Sequence, residues 1–144
     1  MGIEIRRSVV SEKEGGTALL FAVLEYPHFA DCGKYFDEYY ISMRDAVESW
    51  LRETELPRIK AEFAAAGEYE RKFRFPRYDY RLKSRAQTEG DAVEIICDFD
   101  YSRGGVPIKH SSFSRRWSTV DGYMIPPKHR TGTNKNKKAT AGQG

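Results

Sequence analysis

The sequence predicts an α+β fold: an antiparallel β-sheet of about five strands in ββαβββ order, covered on one face by a long amphipathic helix. Three observations lead there. Apolar residues alternate with period two near the N-terminus and again after Arg77. The period changes to near 3.6 from Lys34 to Ala66. Gly-Gly and Asp-Gly pairs punctuate the C-terminal β-region at Gly104-Gly105 and Asp121-Gly122, where a chain reversal needs positive φ.

Ile3, Ile5 and Val9-Val10 predict a first strand, Ser11 to Gly16 a turn, and Thr17 to Tyr26 a second strand that pairs with the first. Pro27 is expected to end that strand, because proline has no N–H for a ladder. A loop from His28 to Gly33 follows. Phe36, Tyr40, Met43, Val47, Trp50 and Leu51 then fall on one helical face, with Asp37, Glu38, Arg44, Asp45, Glu48 and Arg52 largely opposite. Pro57 is expected to kink this helix or open a second one. Leu56, Ile59 and Phe63 extend the apolar stripe to a stop at Gly67.

Tyr78, Tyr80 and Leu82 alternate with Asp79, Arg81 and Lys83, as in a strand with one wet face. A turn at Thr88–Asp91 leads into Ala92–Tyr101, the most apolar strand and so the expected central one. Ile108–Ser118 and Tyr123–Ile125 complete the meander. The helix is the one element able to cover the apolar face of such a sheet, and Trp50 is expected among its large buried aromatics.

At 144 residues the chain suits one domain, expected over residues 1–127, with its 13% aromatic content filling a core without disulfides or metals. The 24 Lys and Arg outnumber the 21 Asp and Glu, but five basic residues and no acid fall after Pro127. The rest of the chain therefore carries more acids than bases, which is no nucleic-acid footprint. Residues 128–144 lack any large apolar side chain and are expected to be a disordered basic tail, capable at most of loose contact with RNA or an anionic surface. No apolar run reaches the length of a membrane span and no leader pattern is visible, so a cytoplasmic location is expected.

Three segments carry a family likeness. They are Tyr26-Pro27-His28-Phe29 ahead of the helix, Asp98-Phe-Asp-Tyr-Ser-Arg-Gly-Gly105, and Arg116-Trp-Ser-Thr-Val-Asp-Gly-Tyr-Met-Ile125. In these the chain resembles the bacterial domains of unknown function that occur in pairs in the extracytoplasmic part of a lysozyme-sensing anti-sigma factor and beside peptidoglycan deacetylase domains. The resemblance implies the fold and the role of a non-catalytic recognition module. The chain departs from it after Gly-Gly, with Val106-Pro107-Ile108 where relatives have Ala-His-Gly, and in lacking a visible export signal.

Chemistry is sparse. Cys32 and Cys97 have no paired spacing, and His28, His110 and His129 are scattered, so no metal or cofactor is expected. The one arrangement open to nucleophilic catalysis is the His28–Cys32 loop, with Asp31 as orienting acid; a structural histidine and a buried thiol explain it equally. Cys97 with His110 and Asp98 is a second, remoter set. Asp98 and Asp100 share a strand face, expected to be salt-bridged by Arg81, Lys83, Arg115 or Arg116. Arg71 to Arg81 interleaves basic and aromatic residues, which suits either nucleic-acid stacking or a strand with its aromatics turned inward. The expected function is a non-enzymatic binding domain for a protein or small ligand. The alternatives are a small hydrolase-like enzyme at the His28–Cys32 loop and a nucleic-acid accessory protein. Any ligand site is expected beside the Gly-Gly turn, at Tyr101, Arg103 and His110.

Overall fold

The computed structural model describes residues 2–127; the basic tail expected over 128–144 lies outside them. Two long strands, β1 (Ile3–Glu14) and β2 (Thr17–Phe29), form a hairpin. A single 3-10 turn, Ala30–Cys32, leads into α1 (Lys34–Trp50), which passes through a π-helical turn at Leu51–Glu55 into α2 (Leu56–Ala65). The chain then enters β3 (Tyr78–Glu89), β4 (Ala92–Arg103), β5 (Val106–Ser118) and the short β6 (Met124–Ile125). The result is a mixed α+β fold with one curled sheet of six strands, where about five were expected, in sequential order β1 to β6.

The sheet is not wholly antiparallel. β2 and β3 run parallel from Leu20↔Tyr78 to Leu24↔Leu82, and the other four pairings are antiparallel. The long helix is the reason: it carries the chain back across the sheet face, so β3 starts at the same end as β2, and parallel neighbours need such a crossover. β4, between β3 and β5, is internal as its apolar sequence predicts.

Pro27 does not end β2. The strand runs on to Phe29, with Pro27 opposite Ile5. Beyond Leu24 the strand has only β1 as a ladder neighbour, and proline is tolerated at such an edge. His28 therefore lies in a strand instead of a loop.

Pro57 opens a second helix, sitting in the first turn of α2 where a proline is accepted, and the π turn ahead of it adds a residue that relieves the collision of its ring with the carbonyl four residues back. The same extra residue rotates the buried face so that Leu51, Glu55, Ile59 and Phe63 point inward, leaving Leu56 half-buried. Gly67 is not the cap. Ala66 is already extended, and the Arg71 guanidinium donates to the carbonyls of Ala64 at 3.2 Å and Ala66 at 2.5 Å. Arg71–Arg81 is likewise not one strand. Glu70–Arg74 forms a wide helical turn with Phe73 67% exposed, and strand geometry begins at Tyr78.

The core lies between the helix and the concave face of the sheet. Phe36, Tyr40, Leu51, Ile59 and Phe63 meet Leu20, Ala22 and Leu24 of β2, Tyr78, Tyr80 and Leu82 of β3, Val93, Ile95 and Cys97 of β4, and Trp117 of β5. Trp117 is 2% exposed, whereas Trp50, the expected core tryptophan, is only half-buried. The Gly104-Gly105 reversal is a two-residue turn with φ 58° and 84°, the mirror-image geometry that suits a hairpin. Asp121-Gly122 is not a two-residue turn. β5 and β6 are joined by residues 119–123, with Ser118 Oγ accepting from the backbone N–H of Val120 and Asp121.

Candidate functional site

The helix touches β5 at one end and leaves it at the other. At the closed end Trp117, opposite Val93, reaches Tyr40, and its indole Nε1 donates to the Tyr40 hydroxyl at 2.9 Å. Toward the Gly-Gly turn, β5 presents Ser111 opposite Phe99 and Lys109 opposite Tyr101 on the helix-facing side. Neither fills the space as Trp117 does. A groove of about 290 Å³ opens there, lined by Ala46, Val47 and Trp50 of α1, Phe99 and Tyr101 of β4, and Lys109 and Ser111 of β5.

The groove is walled by aromatic rings in mutual contact. The Trp50 ring meets Tyr80 edge-on at 5.9 Å and Phe99 at 6.0 Å, and Tyr101 stacks on Tyr80 at 5.0 Å. Beneath it lies a polar chain. The Tyr80 hydroxyl and the Arg58 guanidinium each donate to Glu55 Oε1 at 2.7 Å. Tyr78 donates to Glu62 Oε1 at 2.6 Å, and Arg103 Nε to Glu62 Oε2 at 3.0 Å. Burial, then the hydrogen bond to Glu55, pushes the Tyr80 phenol well above its ordinary range. Burial alone would raise the Glu62 carboxyl, but the bonds from Arg103 and Tyr78 outweigh it and hold it low. Tyr80 is thus kept neutral and in place as a donor, which holds Tyr101 above it. These groups position the floor and offer no free base.

Glu55 is the member that sequence reasoning missed. At 7% exposure it occupies a core position that the helical stripe assigned to its neighbour Leu56. The signal was Pro57, which marks the π turn and so the one-residue rotation.

Of the three expected site residues, Tyr101 lines the groove. Arg103 lies two residues on along the same face, tied to Glu62 and set over the Tyr78 ring at 5.8 Å. His110 does not join them. It pairs with Asp100 across the register, and its side chain lies on the convex face, where it is ion-paired to the Asp100 carboxylate. That carboxylate, by hydrogen bond and charge, raises the imidazole pKa. Asp98 and Asp100 do share a face, but Arg115, opposite Ile95, is on the other one.

The catalytic alternative fares differently. His28 Nδ1 lies 3.0 Å from Asp37 Oδ2, while the Cys32 thiol donates to the Ser118 carbonyl at 3.4 Å. Burial, with the charges of Asp37 and Asp121, raises the Cys32 pKa, opposite to what an activated nucleophile needs. Iodoacetamide at neutral pH should therefore modify Cys32 at least about ten-fold more slowly in the native protein than in urea. Native labelling as fast as that of the unfolded chain would restore the catalytic reading. Cys97 is buried beside Ser84, and the two cysteines are not joined. Among the described residues no three His, Cys, Asp or Glu side chains converge as a metal site, and no helix is long and apolar enough to cross a membrane.

A larger hollow of about 460 Å³, near the β3–β4 turn, is lined by Gln87, Thr88, Glu89, Ala92, Glu94 and Arg116. It is polar and lacks the aromatic wall that ligand sites favour.

No family model matches this chain, and no curated protein matches it. Solved structures similar to it include a member of the DUF3298 family from Bacteroides fragilis NCTC 9343, at 14% identity and a TM-score of 0.46, over 85% of this chain and 58% of that one. Another is a DUF3298 family protein from Pseudomonas aeruginosa PAO1, at 12% identity and a TM-score of 0.44, over 87% of this chain and 56% of that one. The match thus spans little more than half the length of either structure.

Proposed function

We propose that this chain is a non-enzymatic binding domain whose ligand, a protein segment or small molecule, seats an apolar or aromatic group in the groove between Trp50 and Tyr101. The observation that carries this reading is the groove itself: an apolar cleft with rigid aromatic walls, one cation at its rim in Lys109, and a floor held by a satisfied polar chain. Aromatic walls offer large contact area with little ordering cost, which suits recognition. The buried thiol of Cys32 and the engagement of His28 by Asp37 argue against the hydrolase-like alternative. The unjoined thiols suit a reducing compartment such as the cytoplasm.

Titration with p-cresol, a minimal aromatic probe, tests the reading by backbone amide shifts. Saturable shifts should be confined to residues 46–50, 99–101 and 109–111. Ala46→Arg, at an exposed helix position on the groove wall, should abolish them while leaving the melting temperature nearly unchanged. Shifts scattered over the surface, or equal in the Ala46→Arg variant, would remove the groove as the site.

One observation favours a nucleic-acid accessory role. Tyr69 and Phe73 are exposed, 5.3 Å apart, with Arg74 over Tyr69 and Lys72 over Phe73. Glu68 and Glu70 flank the same turn and oppose a phosphate backbone.

A further inference from the structure

The groove lies along an open sheet edge. β6 pairs with β5 only at Arg116 and Trp117, so among the described residues β5 has no outer neighbour from Val106 to Arg115. That stretch is exposed over most of its length, including Val106 and Ile108. A strand edge of this length presents alternating N–H and C=O groups to solvent and is a template for another strand. Natural edges are blunted by prolines, bulges and charges; here Pro107 and the bulge at Ile108 blunt only the first few residues.

The side chains on the groove side of this edge are Lys109, Ser111, Phe113 and Arg115. Lys109 and Arg115 have no carboxylate partner among the described residues, and β5 contains no acid at all. The two cations stand six residues apart, about 20 Å at the rise of a strand. Between them Ser111 leaves the groove mouth open, and Phe113 offers an aromatic cross-strand partner.

We propose that β5 accepts an extended acidic peptide of a partner protein as an added strand, with an aromatic side chain of that peptide in the groove. This rests on the groove reading above and specifies its ligand. Main-chain bonds to the edge give such a peptide its affinity, and alternate side chains give it specificity. The register dictates its pattern: carboxylates opposite Lys109 and Arg115, and apolar or aromatic groups at the two groove-side positions between. A second copy pairing β5 to β5 would bring the same cations against one another. Residues 128–144, with five basic groups and no acid, suit the edge no better.

The capped heptapeptide Glu-Thr-Phe-Thr-Phe-Thr-Glu has this pattern and reads the same in both directions, so strand polarity does not matter. Added to the full chain, it should bind saturably and protect amides of residues 106–115 from hydrogen exchange. Because only alternate N–H groups of an added strand face its neighbour, N-methylation of one alternating set should weaken binding by at least about ten-fold and of the other set far less. Lys109→Glu should weaken it comparably without lowering the melting temperature. Equal effects of the two N-methyl sets would overturn strand addition. So would the absence of binding at about 1 mM peptide while p-cresol still fills the groove, an outcome that leaves the groove reading intact. Failure of both probes would remove both.

Discussion

Trp117→Ala should cost about 3–5 kcal/mol, the range for truncating a fully buried aromatic, and more than any other single truncation on β5. The indole packs against Phe36 at 5.2 Å, Tyr39 at 5.5 Å and Tyr40 at 5.9 Å. It is the side chain by which the far end of the curled sheet grips the start of the helix. Removing it leaves a cavity and also strands the Tyr40 hydroxyl, whose buried phenol is already held far above its ordinary pKa by desolvation. Trp50→Ala removes an equally large ring, but one whose outer face lines an open groove. Its cost should be nearer about 1–2 kcal/mol, since less area leaves water on folding. Urea denaturation of the two variants, compared at unchanged slope, measures both costs. If Trp50→Ala proves the costlier, the groove is closed in solution and the helix sits lower on β4 and β5 than described.

The half-buried state of Trp50, expected in the core, shows what the sequence carried. Local geometry was legible. Period two gave the strands, period 3.6 gave the helix, and Gly104-Gly105 marked a true two-residue reversal because its φ requirement is a property of those two residues alone. What depends on pairing was not legible. Trp50 lies at the end of an apolar helical stripe and Trp117 between Arg116 and Ser118, and only the way α1 lies over β4 and β5 decides which ring is enclosed. His110 looked like a neighbour of Tyr101 because it follows the same turn. A bulge and strand parity place it on the opposite face. The parallel pairing of β2 with β3 follows from where the helix delivers the chain, and no short window encodes that. Glu55 was hidden because a π turn shifts the buried face by one residue, which a strict 3.6 period does not anticipate. Of the candidate site, Tyr101 was found from its flanking turn; the wall that makes it a site comes from α1, more than fifty residues earlier.

Gly122→Ala should destabilise by about 3–4 kcal/mol, combining strain at positive φ with a steric conflict that has no easy release. Gly122 has φ 78°, and a Cβ there would sit 2.2 Å from the carbonyl oxygen of Cys32. That oxygen belongs to a backbone that cannot swing aside as a side chain would. Gly33 N–H closes the Ala30–Cys32 turn at 3.1 Å, and Phe29 N–H is held by Asp37 Oδ1 at 3.0 Å, so the entry to α1 is pinned on both sides. The loop at 119–123 must therefore lift. Doing so breaks the Cys32 thiol contact with Ser118, parts the stacked rings of Tyr35 and Tyr123 at 5.3 Å, and loosens Trp117 directly upstream. Gly16→Ala is the control: its φ is similar at 82°, but nothing lies within 4 Å of the added methyl. It should show the conformational cost alone, about 1 kcal/mol. The difference between the two variants isolates the clash. In Gly122→Ala, Cys32 should also become alkylated faster under native conditions, because the loop that covers it has moved. Equal costs for the two glycines, with Cys32 still protected in both, would show that the loop does not close on the helix entry.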